Sequence, residues 1–394
     1  MVYKNCKLAN DDIVDIEVKD GKIVKIAKEI KSDVSKDING AYVLPKLVDL
    51  NVRLKDLVLN GKNIKKVANE AKEGGVGHIV LLPDLTPSID DEVVLEFTKN
   101  TIKDIKDVKI DISINALKED LSLSNIAILL KKGSVAPFMS TIAKNNIAIK
   151  VAEYVKMYKT TLFCKAEDNS LKSQGVMFEG DVSSKLGLAG IPELSEVVHV
   201  SRMIEIAKYY DIAILFKSIS SPRSLDMIKK AKEEGVDVKA EVSLHHLLKS
   251  DKECEGFNTI AKIDPPLVDD NLKEELLKAL KEDGIDILTT LHQPSSPVNK
   301  EVAFFDASYG SSSLRDAFSL YYTKLVKSGI ISMEKLMQLC VYNPLKAINQ
   351  DIVELKEQED IDKFLIFDTT KSYMIKDNNS LYNEEEIFGE VIEL

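Results

Sequence analysis

Eight times along the middle of this chain a short run rich in apolar and β-branched residues gives way to a longer stretch rich in Lys and Glu. The β-prone runs are 48–54, 78–83, 109–114, 126–130, 161–166, 212–216, 236–242 and 285–291. Stretches such as 225–234 and 272–282 carry the helical pattern between them. Strands separated by helix-length connections pair in parallel, because each crossover returns the chain to the edge where it began. Eight such units over roughly 300 residues predict an α/β fold, a distorted (β/α)8 barrel of TIM type, with its site at the C-terminal strand ends. A doubly wound parallel sheet satisfies the same alternation.

Both termini read differently. Residues 2–4, 13–16 and 22–26 are β-prone, the last two joined by the Asp20-Gly21 turn, and 364–367, 373–375 and 389–392 close the chain in the same way. These pieces are expected to pair into a small β-sandwich made of 1–44 and 350–394, bracketing a barrel over 45–349.

Composition excludes several classes. Of 394 residues, 44% are hydrophobic and 30% charged, which suits a globular protein. No apolar run reaches the roughly 18 residues that span a bilayer, so no membrane is expected. No leader-like segment precedes Lys4, and a cytoplasmic location is the expectation. The net charge of -11 argues against a nucleic-acid surface. Cys6, Cys164, Cys254 and Cys340 lack the close pairing of structural zinc sites and read as reduced thiols. There are five histidines, His78, His199, His245, His246 and His292.

Ordered motifs carry a resemblance. Residues 43–53 read Val-Leu-Pro-Lys-Leu-Val-Asp-Leu-Asn-Val-Arg, and 186–193 read Leu-Gly-Leu-Ala-Gly-Ile-Pro-Glu. Ala231-Lys232 and Gly235 lead into 240–247, Ala-Glu-Val-Ser-Leu-His-His-Leu, and Asn343-Pro344 follows near the end. Together they resemble dihydroorotases of the long bacterial type, and more loosely allantoinases and dihydropyrimidinases, within the amidohydrolase superfamily. The resemblance implies a zinc-dependent cyclic-amide hydrolase, yet the positions that would bind metal differ. The family's His-x-His on the first barrel strand is Asn51 and Arg53. Its His-x-Glu-Asp is Lys165-Ala166-Glu167-Asp168, its His-x-Ser is Ser218-Ile219-Ser220, and its Thr-Asp-His is Thr290-Leu291-His292. Leu291 therefore stands where the general base would be. The strand expected to hold a bridging carboxylate aligns with 133–139, which contains no acidic residue. Lys55 replaces a substrate-binding arginine and Asp84 an asparagine.

Asparagine is a poor zinc ligand and arginine, always protonated, is none. Removing two zinc ions leaves their carboxylates uncompensated, and burying such a charge costs several kcal/mol. Here cations and a leucine occupy the ligand positions together. The resemblance thus implies a non-catalytic family member with no cofactor, whose precedent is a structural or regulatory partner of aspartate carbamoyltransferase in pyrimidine biosynthesis, within an oligomer. A residual cyclic-amide hydrolase and a small-anion sensor are the other readings.

The remaining candidates weigh towards structure. His245 and His246, read as strand neighbours, should face opposite ways, and His292 follows the lost aspartate as a lone histidine. Cys164 beside Lys165 suggests a nucleophile, but no histidine is close in sequence to act as its base. Arg53, Lys55, Asp84, Lys165, His246 and His292 make up a possible vestigial pocket, in which the cations could hold an anion or pair with Asp84, Glu167 or Asp168.

Overall fold

A computed structural model describes residues 1–139 and 143–394. Five strands open the chain, β1 (Val2–Lys7), β2 (Ile13–Lys19), β3 (Lys22–Ala27), β4 (Ser35–Asp37) and β5 (Tyr42–Pro45). The barrel strands follow as β6 (Leu47–Val52), β7 (Val76–Leu81), β8 (Lys109–Ile112), β9 (Ile114–Asn115), β10 (Pro137–Met139) and β11 (Thr161–Lys165). A two-strand parallel pair, β12 (Met177–Phe178) and β13 (Gly190–Ile191), precedes β14 (Ala213–Lys217), β15 (Val238–Ser243) and β16 (Ile287–Thr289). The chain closes with β17 (Phe364–Met374) and β18 (Glu386–Glu393).

Parallel pairing runs β6-β7-β8 and then β9-β10-β11-β14-β15-β16. One residue, Ser113, separates β8 from β9, so they form a single bent stave, and a bridge between Val52 and His292 brings the last stave back to the first. The result is a closed eight-stave barrel, which the wide alternation of strands and helices had predicted. Its staves are short and its walls apolar: Phe138, Phe163, Phe216 and Leu288 are all buried.

Helices between the staves start on side-chain caps. Asn60, Asp91, Ser221 and Asp269 each accept a first-turn backbone N–H, which satisfies donors a helix leaves open. The first helix, Gly61–Glu73, ends at Gly74, where a Cβ would lie 1.9 Å from the Leu314 carbonyl oxygen. Only glycine allows that approach, which seats the segment after residue 313 against the barrel.

One expected strand is a helix. Residues 126–130 lie in the helix Ile126–Lys131, and the fourth stave is the three-residue β10. Ile126 and Leu129 are buried while Ile128 is exposed, a spacing of three that suits a helix, and the β-branched content of the run had obscured it.

Both termini share one seven-stranded sheet, in the order β18-β17-β5-β1-β2-β3 with β4 beside β1. Cys6, Ile16, Ile23, Val43, Phe364 and Ile366 fill its own small core. Because β5 runs into β6 with only Lys46 between them, this sheet fixes the entry of the first barrel strand. Among the described residues no helix is long and apolar enough to cross a membrane.

Candidate functional site

Side chains two apart on a strand share a face, so Asp49 and Asn51 leave β6 on one side, and Arg53 follows directly after the strand's last residue. All three are buried. Asp49 is consumed locally, accepting from the Asn51 N–H at 2.8 Å and from the Thr290 N–H and hydroxyl at 2.9 and 2.6 Å. The Asn51 amide donates to the Ser218 hydroxyl at 2.8 Å and to Glu241 Oε1 at 2.6 Å. Its carbonyl oxygen accepts from Arg53 Nη1 at 2.9 Å.

Beneath this pair lies a buried ion pair. Lys217, the last residue of β14, donates to the Glu241 carboxylate and, at 2.9 Å, to the Leu50 carbonyl. Its ammonium also sits 4.6 Å from the Phe163 ring centre. Glu241 Oε1 further accepts from the Thr289 hydroxyl at 3.3 Å. Lys217 is 2% and Glu241 0% exposed, so neither can be charged here without the other. Burial pulls the Lys217 pKa below its usual value, and the adjoining Glu241 carboxylate opposes that shift.

Nearer the mouth, Arg53 grips Asp84 with Nε at 3.0 Å and Nη2 at 2.9 Å, a planar fork on a carboxylate. Lys165 bonds Asp264 at 2.5 Å and Glu167 at 3.3 Å, while Lys172 bonds Glu167 at 2.8 Å. Burial alone would lower the Lys165 pKa and raise that of Asp264. Their mutual attraction reverses both, leaving the ammonium above and the carboxyl below its usual range.

The structure separates the other candidates. Asp168 takes no part in the Lys165 cluster but caps the short helix Asn169–Lys172 by accepting from the Ser170 N–H. Lys55 offers its backbone carbonyl to Asn63 Nδ2 at 3.1 Å. His292 turns away from the mouth: its Nδ1 accepts the N–H groups of Ser313 and Leu314 at 3.3 and 3.2 Å, which assigns the proton to Nε2, 3.3 Å from Glu70 on the first helix. His245 and His246 are helical rather than strand residues, since β15 ends at Ser243, whose hydroxyl caps the turn. They still part company, His245 stacking on Tyr382 and His246 Nε2 lying 3.2 Å from the Pro265 and Pro266 carbonyls.

Cys164 has the histidine that sequence proximity could not supply. His199, from the helix Leu194–Tyr210, places Nε2 3.5 Å from its sulfur. Burial pushes the thiol up to about 12 and the imidazole down to about 4, so both are neutral in a pair closed to solvent. Thiolate chemistry needs the opposite conditions.

Two strand-end positions keep an uncommon backbone. Ser218 has φ 53° and Leu291 φ 51°, left-handed values that cost an L-residue roughly 1–2 kcal/mol. Aspartate and asparagine adopt this region more readily than leucine does. Leu291 is buried at its position without any polar atom to offer.

The donor set does not fit a pair of zinc ions. Among the described residues no three His, Cys, Asp or Glu side chains gather so as to hold a metal. Amide, guanidinium, ammonium and hydroxyl groups stand at the positions considered, already bonded to one another. Lys217, Glu241 and Asp264 were not singled out from sequence. Lysine ending the apolar run Ala213-Ile214-Leu215-Phe216 was a usable signal, whereas nothing local marks Asp264.

Comparison with known proteins agrees with the fold. A family model described as Dihydro-orotase-like matches residues 40–221. The dihydroorotase of Elusimicrobium minutum is 33% identical over 384 residues, covering 96% of this chain and 87% of that protein. That of Caldanaerobacter subterraneus subsp. tengcongensis is 34% identical, covering 86% and 80%. Among solved structures, the L-hydantoinase (dihydropyrimidinase) of Arthrobacter aurescens superposes with a TM-score of 0.85 at 19% identity, covering 99% of this chain and 93% of that one.

Proposed function

This chain belongs to the dihydroorotase family, and we propose that within it the chain is a non-catalytic member, serving pyrimidine biosynthesis as a structural or regulatory partner of aspartate carbamoyltransferase. The observation that carries the first half is the Lys217–Glu241 pair with Asn51 and Ser218 bonded above it. Hydrolysis of a cyclic amide needs an activated water and a group to take its proton. Leu291 cannot accept a proton, and the nearby carboxylates Asp84, Asp264 and Glu241 are each held by a cation. Arg53 and Lys165 are tied to carboxylates in the same way, which weakens the anion-sensor reading. The partner role rests on family precedent for inactive members.

A second reading keeps the chain a cyclic-amide hydrolase, and what favours it is that its relatives are named dihydroorotase. One set of measurements separates the two. Purified protein is assayed for metal content and dihydroorotate hydrolysis, then run with the aspartate carbamoyltransferase of the same organism on a size-exclusion column with light scattering. The proposal expects sub-stoichiometric metal, no turnover, and one complex heavier than either component. Turnover together with bound zinc overturns the first half; two independent peaks at micromolar concentration overturn the second.

A further inference from the structure

A cavity of about 400 Å3 opens at the base of the barrel, under the starts of β6, β7 and β8, against about 30 Å3 for the cavity beside Glu167 and Glu196 at the mouth. The larger volume is in the range of small-molecule sites. Its floor is aliphatic, made by Val48, Val341, Leu345 and Val353, and no Phe, Tyr or Trp lines it.

Charges of both signs reach this cavity. The barrel contributes Lys46, between β5 and β6, and Lys106, ahead of β8, while the segment leading from the barrel to β17 contributes Asp351 and Asp362. Several other polar groups at the rim are already spent. Lys109 bonds Gln350 at 2.7 Å and meets Asp111 at 3.3 Å, Asp360 meets Lys22 at 2.8 Å, Asp107 meets Lys72 at 3.3 Å, and Lys363 is paired with Glu359. Lys106 donates to the Lys103 carbonyl at 3.2 Å. Among the described residues the side chains of Lys46 and Asp351 have neither a hydrogen bond nor an ion pair.

Lys46 is positioned by its stem, which lies across Gly77: a Cβ on that glycine would come within 2.6 Å of the Lys46 Cβ. The next residue, His78, is buried with Nε2 2.8 Å from Asp111. With the proton on that nitrogen, facing the carboxylate, Nδ1 of the neutral ring is an acceptor, and among the described residues nothing donates to it.

A free ammonium, a free carboxylate beside a ring acceptor, and an aliphatic floor complement the three parts of one molecule. We propose that the base cavity binds a free aliphatic α-amino acid, its carboxylate at Lys46, its ammonium at Asp351 and His78, and its side chain on the floor. The lining holds four Lys and four Asp, which does not suit a polyanion, and it offers no ring on which a nucleobase would stack. The cavity lies at the end of the barrel opposite the catalytic strand ends, so it does not depend on the function proposed above.

Isothermal titration of the full-length chain with L-valine, L-leucine, L-isoleucine and L-methionine tests this, with isovalerate, isoamylamine and adenosine for comparison. At least one of the amino acids should bind with a Kd at or below about 1 mM, and isovalerate and isoamylamine, which keep one charge each, at least about tenfold more weakly. Lys46→Met, which keeps the stem over Gly77, and Asp351→Asn should each weaken the amino acid about tenfold or more. Val353→Trp, which fills the cavity from the connecting segment, should abolish binding. If Lys46→Met or Val353→Trp fails to fold, Asp351→Asn at its exposed position gives the reading alone. The proposal is overturned if none of the four amino acids binds wild type, if adenosine binds in their place, if a one-charge analogue binds equally well, or if a folded variant binds undiminished.

Discussion

The Asn51 amide donates to the Ser218 hydroxyl at 2.8 Å, across 167 residues of sequence. Each stands where the family resemblance implies a histidine ligand to zinc, and here the two positions bind each other. Lys217 and Arg53 flank them, and each is neutralised by a carboxylate of its own, Glu241 and Asp84.

Lys217→Met should be among the most damaging single substitutions in the barrel. It leaves Glu241 fully buried without a counter-charge, a situation that typically costs about 3–5 kcal/mol. Adding Glu241→Gln should recover most of the loss, since an amide can keep the Thr289 bond without carrying charge. Urea unfolding of the two single variants and the double variant measures this. A Lys217→Met loss below about 0.5 kcal/mol would remove the pair from its central role.

Arg53→Met should cost less, about 2 kcal/mol, because the Asp84 side chain is 28% exposed and water partly replaces the guanidinium. Arg53→Lys should fall between the two, keeping charge but losing the fork that spans both carboxylate oxygens. Equal stability of the lysine variant and wild type would show that charge alone matters.

Leu291→Asp installs the side chain that the family resemblance implies at this position, and the backbone conformation there already suits aspartate. The variant should nevertheless take up no stoichiometric zinc and hydrolyse dihydroorotate no faster than wild type, because Arg53 and Lys165 still occupy neighbouring ligand positions. Metal analysis after zinc loading is the check, and one bound zinc per chain in this single variant would contradict the whole electrostatic account.

Stability should climb as pH rises above neutrality. Burial beside Lys262 lowers the Lys300 pKa from 10.5 to about 7, so between these values the unfolded chain binds a proton that the folded chain does not. The penalty is complete below about 7 and fades towards 10.5, the sign expected when the unfolded state holds more protons. Lys217 and Lys262 are shifted in the same direction, both chiefly by burial. Denaturant midpoints between about pH 7 and pH 9, below the range in which the buried Cys6, Cys164 and Cys254 thiols act in the opposite sense, should rise for wild type and rise less for Lys300→Met; parallel curves would refute the assignment to Lys300.

Much of the barrel was legible because its strands are apolar runs and its helices carry capped, Lys/Glu-rich faces. The run 126–130 was misread because five apolar residues fit either a buried strand or a short helix, and only packing decides between them. In the site, Asn51, Arg53, Lys165 and Ser218 were found by position within motifs. Their partners were less accessible: Asp264 meets Lys165 from 99 residues away, and His199 meets Cys164 from another element, contacts that no local pattern encodes.

A guanidinium and an ammonium covalently attached to the chain arrive with every molecule synthesised, in fixed number and without a loading step. The groups that bond Asn51, Glu241 and Asp84 are therefore in place as soon as the polypeptide has folded. In the Lys217 and Arg53 arrangement, cation and counter-charge both come from one chain, and strands far apart in sequence are tied together at the barrel centre by its own ion pairs.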